Sequence, residues 1–180
     1  MPGKETWDKA ISFGGLTGAM ALNVATLPIT VGAGAFLVRD GELLVVRKTY
    51  GPSKGLWTIP SGYVEPRESV VQTIEREVTE ETGISGRAGP ILGVRNRVTE
   101  SANDTFLIFA MTYASGEPRP DRVEVSEAAF RPLSELTTSE ASAPFTRAII
   151  PKLARTAGLR LDPYTPTADP AHPLAYLLYV

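Results

Sequence analysis

Residues 62–84 read GYVEPRESVVQTIEREVTEETGI, and this stretch constrains the fold more than any other part of the chain. Glu77, Glu80 and Glu81 are crowded together, with Glu68 and Arg76 ahead of them, on what reads as one helix stopped by Gly83. Like charges this close repel, so the run needs a counter-charge or divalent cations beside it. At about 100° per residue, Val71 and Ile74 lie within about 40° of Val78 and make an apolar stripe. Glu81, Glu77 and Glu80 then fall about 60°, 100° and 160° to one side of Val78. The three carboxylates thus flank the buried face and stand at the rim of a cleft. Arg76, one turn before Glu80, is placed to hold a carboxylate. A solvated face of Glu–Arg pairs would explain the charges, but not Gly62, Glu68 and Gly83 at their spacings.

Around this segment the pattern is mixed β and α. Thr30–Arg39 and Glu42–Lys48 are β-rich runs joined by Asp40-Gly41, a strong hairpin signal. Leu56–Ile59 reads as a short strand ending in a Pro60-Ser61-Gly62 turn, and Glu68–Thr82 as the acidic helix. Ile91–Val98 and Thr105–Tyr113 read as strands joined by a polar loop, and Val123–Phe130 as an edge strand. Pro132–Leu136 reads as a helical turn. Pro144–Ala157 carries Phe145, Ile149, Ile150 and Leu153 at helical spacing. The order implies one α/β (α+β) domain, a sheet with helices on both faces.

Composition narrows the chemistry. The 180 residues carry a net charge of −2, without the basic excess expected of a protein that neutralises a long nucleic acid. A small phosphorylated ligand is therefore expected, and no nucleic-acid polymer. There is no cysteine, which removes disulfides, thiolate metal sites and cysteine catalysis. The lone histidine, His172, lies in a Pro-rich tail, so a metal site must be built from oxygen ligands, which suits Mg²⁺ or Mn²⁺. Ile11–Val38 has no charge, yet its glycines, Asn23 and Pro28 argue against a membrane span. Glu5 and Asp8 argue against a signal peptide. The expectation is an extension over 1–29, helical over about 5–24, a main folded domain over 30–157, and a Pro-rich tail over 158–180. The apolar N-terminal segment and the AYLLYV end are expected to be covered, one or both in a homodimer.

The acidic segment resembles the Nudix box: Gly62, Glu68, Arg76-Glu77-Val78, Glu80-Glu81 and Gly83-Ile84 occupy its fixed positions. Trp57-Thr58-Ile59-Pro60-Ser61-Gly62 is similar to the family's lead-in, with Ser61 where Gly is more common. About residues 30–155 are covered. The resemblance implies an αβα sandwich with a mixed sheet. It implies Glu77, Glu80 and Glu81 as Mg²⁺ or Mn²⁺ ligands, with the Gly62 carbonyl as a further one. Glu68 and Arg76 would orient the cluster. The general base is left open: Glu127 is favoured, with Glu80 or Glu77 close behind and Glu124, Glu100 and Asp104 as further candidates. Phosphate contacts are expected from Arg47 rather than Lys48, which has the opposite strand parity, and from Arg95 and Arg97, which share a face; Lys54 is a further candidate. Tyr50, Tyr63 and Phe106 are candidates to stack on a base, whereas Trp57 is read as packing.

The activity so implied is metal-dependent hydrolysis of a pyrophosphate bond in a nucleoside diphosphate linked to another moiety, by a cytoplasmic enzyme. ADP-ribose, NADH, nucleotide sugars and nucleoside triphosphates all remain as substrates. RNA 5′-pyrophosphohydrolysis and a non-catalytic ligand-sensing module are the alternatives. An isopentenyl diphosphate isomerase is excluded by the missing cysteine.

Overall fold

The computed structural model describes residues 29–163, 175 and 177–180. Its central strand is β1 (Ile29–Arg39), the end of the long uncharged stretch. Asp40 and Gly41 follow with φ of 52° and 81°. Two consecutive positive φ values make the tight turn that matches strand twist, which is why Asp-Gly stands there. The chain returns as β2 (Glu42–Lys48), antiparallel to β1. β2 pairs along its other edge with β7 (Val125–Pro132), while β3 (Trp57–Thr58) pairs with Val46 and Arg47 on the edge that β1 occupies at Glu42 and Leu43. β4 (Ser61–Tyr63) runs antiparallel to the first half of β1. β6 (Asn103–Ser115) runs parallel to β1 from Ile29↔Asn103 to Leu37↔Met111, and β5 (Ser85–Val98) closes the sheet antiparallel to β6. The result is one seven-stranded mixed sheet.

Side chains alternate across it and build two cores. On one face Ala33, Ala35, Leu37 and Leu44 pack with Ile74 and Val78 of α1 (Val70–Thr82). On the other, Phe36, Leu43 and Val45 pack with Leu136 of α2 (Leu133–Thr138) and with Ile149, Ile150 and Leu153 of α3 (Pro144–Leu153). The layers are helix, sheet, helix, the expected sandwich. Ile74 and Val78 are fully buried, each stabilising by about 2 kcal/mol through apolar burial.

Boundaries differ from the sequence pattern in physically readable ways. The helix begins at Val70, because Ser69 caps it: its hydroxyl accepts from the Gln72 N–H, and the Gln72 side chain accepts from the Ser69 N–H. Pro60-Ser61-Gly62 is not a plain turn, since Ser61–Tyr63 finds ladder partners on β1. β5 starts earlier than the pattern, at Ser85, and β6 outruns Thr105–Tyr113 at both ends, because each supplies the other's backbone bonds. Asp104, expected in a turn, lies in β6 and is buried. α3 ends at Leu153, short of Ala157.

The helix expected near residues 5–24 lies outside the described residues, and so does most of the tail. The described part of the tail folds back on its own domain. β8 (Leu161–Asp162) pairs with β9 (Leu178–Tyr179), and the Tyr179 ring meets Phe109 edge-on at 5.9 Å. Tyr179 of the apolar end is thus partly covered within the chain, while Leu177 and Val180 beside it stay exposed. Among the described residues no helix is long and apolar enough to cross a membrane.

The Phe106 ring lies over the bare backbone of β1. A Cβ at Gly34 would stand 2.6 Å from Phe106 Cζ and 2.8 Å from Ile59 Cδ1. Gly34→Ala is therefore expected to destabilise by about 1–3 kcal/mol through overpacking. In urea denaturation, Gly34→Ala combined with Phe106→Leu should cost less than the sum of the single changes.

Candidate active site

Three segments converge on the exposed flank of α1: the β4 strand, the end of β2, and the loop before β7. The three carboxylates grade in burial as their helical angles require. Glu81 is 2% exposed, Glu77 is 9% exposed, and the Glu80 side chain is 59% exposed. Glu81 accepts from the Ser61 N–H at 3.0 Å and from the Lys48 ammonium, which also donates to the Ser61 carbonyl at 2.9 Å. Burial nevertheless pushes the Glu81 carboxyl up to about 7, against the pull of Lys48. Burial also raises Glu77, opposed by Arg76.

Arg76 is the hub of the cluster. Its Nε and Nη2 donate to the two oxygens of Glu68 at 2.9 and 3.0 Å, a bidentate pair. Its Nη1 donates to Glu77 at 2.8 Å and to Glu80 at 3.0 Å. Nη2 also reaches the Tyr63 carbonyl at 3.4 Å. Arg76 hydrogen bonding, with help from the Thr73 hydroxyl, holds the Glu68 carboxyl down at about 2 in spite of its burial. Gly62 lies so close to Glu77 that a Cβ there would fall on the carboxylate.

Among the described residues no three acidic or histidine side chains are grouped so as to hold a metal ion. Glu77 and Glu80 share Arg76, while Glu81 is held on Lys48. The donor set nonetheless fits a hard divalent cation. It offers oxygen ligands only, two of them buried carboxylates raised by desolvation, against a glycine cradle.

Of the two neighbouring cations of β2, the structure turns Lys48, not Arg47, toward the carboxylates. Leu44 and Lys48 share the α1 face, whereas Leu43, Val45 and Arg47 share the other. Arg47 lies 4.6 Å over the Trp57 ring and 3.4 Å from Glu127, its register partner on β7. Arg131 lies 5.1 Å from the same ring, so Trp57, 3% exposed, is a packed platform between two guanidiniums. Glu127 is therefore engaged away from the carboxylates. Among the acids outside the helix, Glu124 is linked to them. Its carboxylate accepts from the Tyr50 hydroxyl at 2.9 Å, and burial, Glu124, Glu81 and Glu77 together push Tyr50 up to about 12. Arg95 is bonded to Asp104 and stacks on Phe106 and Phe145 at 5.0 and 5.2 Å. Asp104 also accepts from the Thr30 hydroxyl at 2.9 Å. Arg97, Glu100 and Tyr63 are exposed, and Lys54 is exposed on the loop after β2. The Lys48 and Tyr50 contacts were missed by the sequence pattern. The signal for Lys48 was its parity with Leu44.

An acidic helix flank with a glycine cradle, on one face of an αβα mixed sheet, defines a protein of the Nudix type. The NUDIX domain model matches residues 28–153, and the chain belongs to that family. Nudix hydrolase 8 of Arabidopsis thaliana is 33% identical over 110 residues, 58% of this chain and 30% of that protein. The ADP-ribose pyrophosphatase of Methanocaldococcus jannaschii is 33% identical over 64 residues, 36% of this chain and 38% of that protein. The chain thus spans about a third of the length of these two curated relatives. The crystal structure of a MutT NUDIX hydrolase from Burkholderia pseudomallei superposes with a TM-score of 0.61 at 26% identity, covering 69% of this chain and 98% of that one.

The Glu68–Arg76 pair carries a pH signature. A carboxyl held at about 2 in the folded state, against an ordinary 4.5, adds stability above pH 4.5 and loses it as pH falls toward 2. Glu68→Gln should lower stability by about 2 kcal/mol at pH 7, and the gap to wild type should close as unfolding is measured toward pH 2.

Proposed function

We propose that this protein hydrolyses a phosphoanhydride bond in a nucleoside diphosphate linked to another moiety, with Mg²⁺ or Mn²⁺ held by Glu77, Glu80, Glu81 and the Gly62 carbonyl. The burial of Glu77 and Glu81 carries this reading. Two desolvated carboxylates at a glycine cradle are costly unless a cation of higher charge than Lys48 is available to them. The names of the relatives, a Nudix hydrolase and an ADP-ribose pyrophosphatase, agree with it. Bound there, the cation supplies charge neutralisation of the diphosphate and lowers the pKa of a water molecule.

The protein's own part is positional. Arg76 clamps Glu68, Glu77 and Glu80 into one arrangement and spares the helix their mutual repulsion. Lys48 keeps Glu81 oriented and adds a second positive charge beside the developing phosphate charge. Glu80 is the carboxylate of the three most open to water, and Glu124 is the acid that Tyr50 ties to the same flank. These two are therefore the acids we assign as candidates to take the proton of the attacking water. The water oxygen forms the new bond to phosphorus, the bridging P–O bond breaks, and two phosphate monoesters result.

Phosphate release from a panel of nucleoside diphosphate derivatives, with added phosphatase, tests this. Turnover should vanish with a chelator and return with Mg²⁺ or Mn²⁺. Glu80→Gln and Glu81→Gln should each lower kcat by about 10²–10⁴-fold with the fold intact by circular dichroism. Undiminished turnover by Glu81→Gln, or in excess chelator, would falsify the assignment.

A further inference from the structure

The loop before β7 is built as a rigid cap on the C-terminal end of α1. The Arg119 N–H donates to the Thr82 carbonyl at 2.6 Å, and a Cβ at Gly116 would stand 2.5 Å from the Gly83 oxygen. Asp121 then accepts from the N–H groups of Val123, Glu124 and Val125 at 2.9–3.2 Å. Arg122 sits at φ 65° and donates its N–H to the Val125 carbonyl at 2.9 Å. The backbone of this loop is therefore fixed while two guanidiniums project from it.

Between the loop and the helix is a cavity of about 680 Å³ lined by Thr79, Glu80, Gly83, Arg119, Asp121 and Arg122. That volume is in the range of small-molecule sites, about 300–1,000 Å³. Arg39, Arg47, Arg76, Arg87, Arg95 and Arg131 all have carboxylate partners. Among the described residues, the side chains of Arg119 and Arg122 have none, as is true also of Arg97 and Arg155 at the surface, but Arg119 and Arg122 are the arginines that line this cavity. The Asp121 carboxylate beside them is taken up by the three backbone donors. Glu80 belongs at once to this cavity and to the carboxylate cluster.

We propose that Arg119 and Arg122 form a phosphate subsite that takes a further phosphate of the substrate, one beyond the diphosphate held at the carboxylates. The proposal rests on the hydrolytic reading above and deepens it: it selects substrates with a third phosphate group over those whose distal moiety is neutral. The chemistry is guanidinium recognition of phosphate, for which two planar, permanently charged donor forks are suited. Placed beside Glu80, the pair becomes attractive to an anion once a divalent cation offsets the neighbouring carboxylates.

The test is calorimetric binding of inorganic tripolyphosphate and inorganic pyrophosphate to the Mn²⁺-loaded full chain, beside steady-state kinetics with a nucleoside triphosphate. Wild type should bind tripolyphosphate more tightly than pyrophosphate. Arg119→Gln and Arg122→Gln should each weaken tripolyphosphate about five- to tenfold, the size of a lost charge-assisted contact at a partly solvated site, and leave pyrophosphate nearly unchanged. KM for the nucleoside triphosphate should rise by a similar factor at constant kcat. Arg122→Lys should recover part of the loss, and Arg155→Gln, an exposed arginine off the cavity with the same charge change, should do nothing. Equal weakening of both probes, or none, overturns the subsite. Failure of hydrolysis is a separate outcome: inactivity toward every phosphoanhydride, with the tripolyphosphate preference intact and lost in the arginine variants, would remove the enzymatic reading and keep the subsite.

Discussion

The guanidinium of Arg76 is the interaction around which this flank of the protein is organised. Three carboxylates bond to it, and two of them are largely out of water. Without a delocalised, permanent cation at that point, Glu68, Glu77 and Glu80 would repel one another across a partly dry interface. The capped start of α1, the β4 strand and the glycine at residue 62 all take their places against this hub. Lys48 does the same from the sheet side for Glu81, so the acidic helix is compensated from two directions.

Much of this arrangement was legible in the residues. The apolar stripe of Val71, Ile74 and Val78, taken with helical angles, ranks the burial of Glu81, Glu77 and Glu80 in the order found. Arg76 stands one turn from Glu80, within the reach that helical spacing alone predicts. The Asp40-Gly41 turn and the two long strands around it were equally readable. These features depend on local geometry, which a single sequence carries.

The rest depends on which face of a strand a distant helix covers. Arg47 and Lys48 have opposite parity, so one of them meets the carboxylates, but only the packing of Leu44 under α1 decides which. The same uncertainty hid Glu124. Glu127 and Glu124 lie three residues apart across a register shift beside Lys48, and the structure gives Arg47 to the first and the Tyr50 hydroxyl to the second. Asp104 was obscured because Asn-Asp reads as a turn. Its burial is made possible by Thr30 and Arg95, which come from β1 and β5. Strand pairing between segments far apart in the chain supplied what local pattern lacked.

β1 is shared by both faces of the molecule in an unusually direct way. Its Ala33 stands in register with Gly62, whose backbone touches the Glu77 carboxylate, while its Gly32 and Gly34 receive the Phe106 ring. Only the thickness of a backbone separates the aromatic wall from the acidic cradle. Changes that remodel one chamber will therefore be filtered by their effect on the other. A lineage altering what stacks near Phe106 has few silent routes through this strand, and variation in ligand preference is easier to accommodate at the outer loops, where side chains project without sharing a spine.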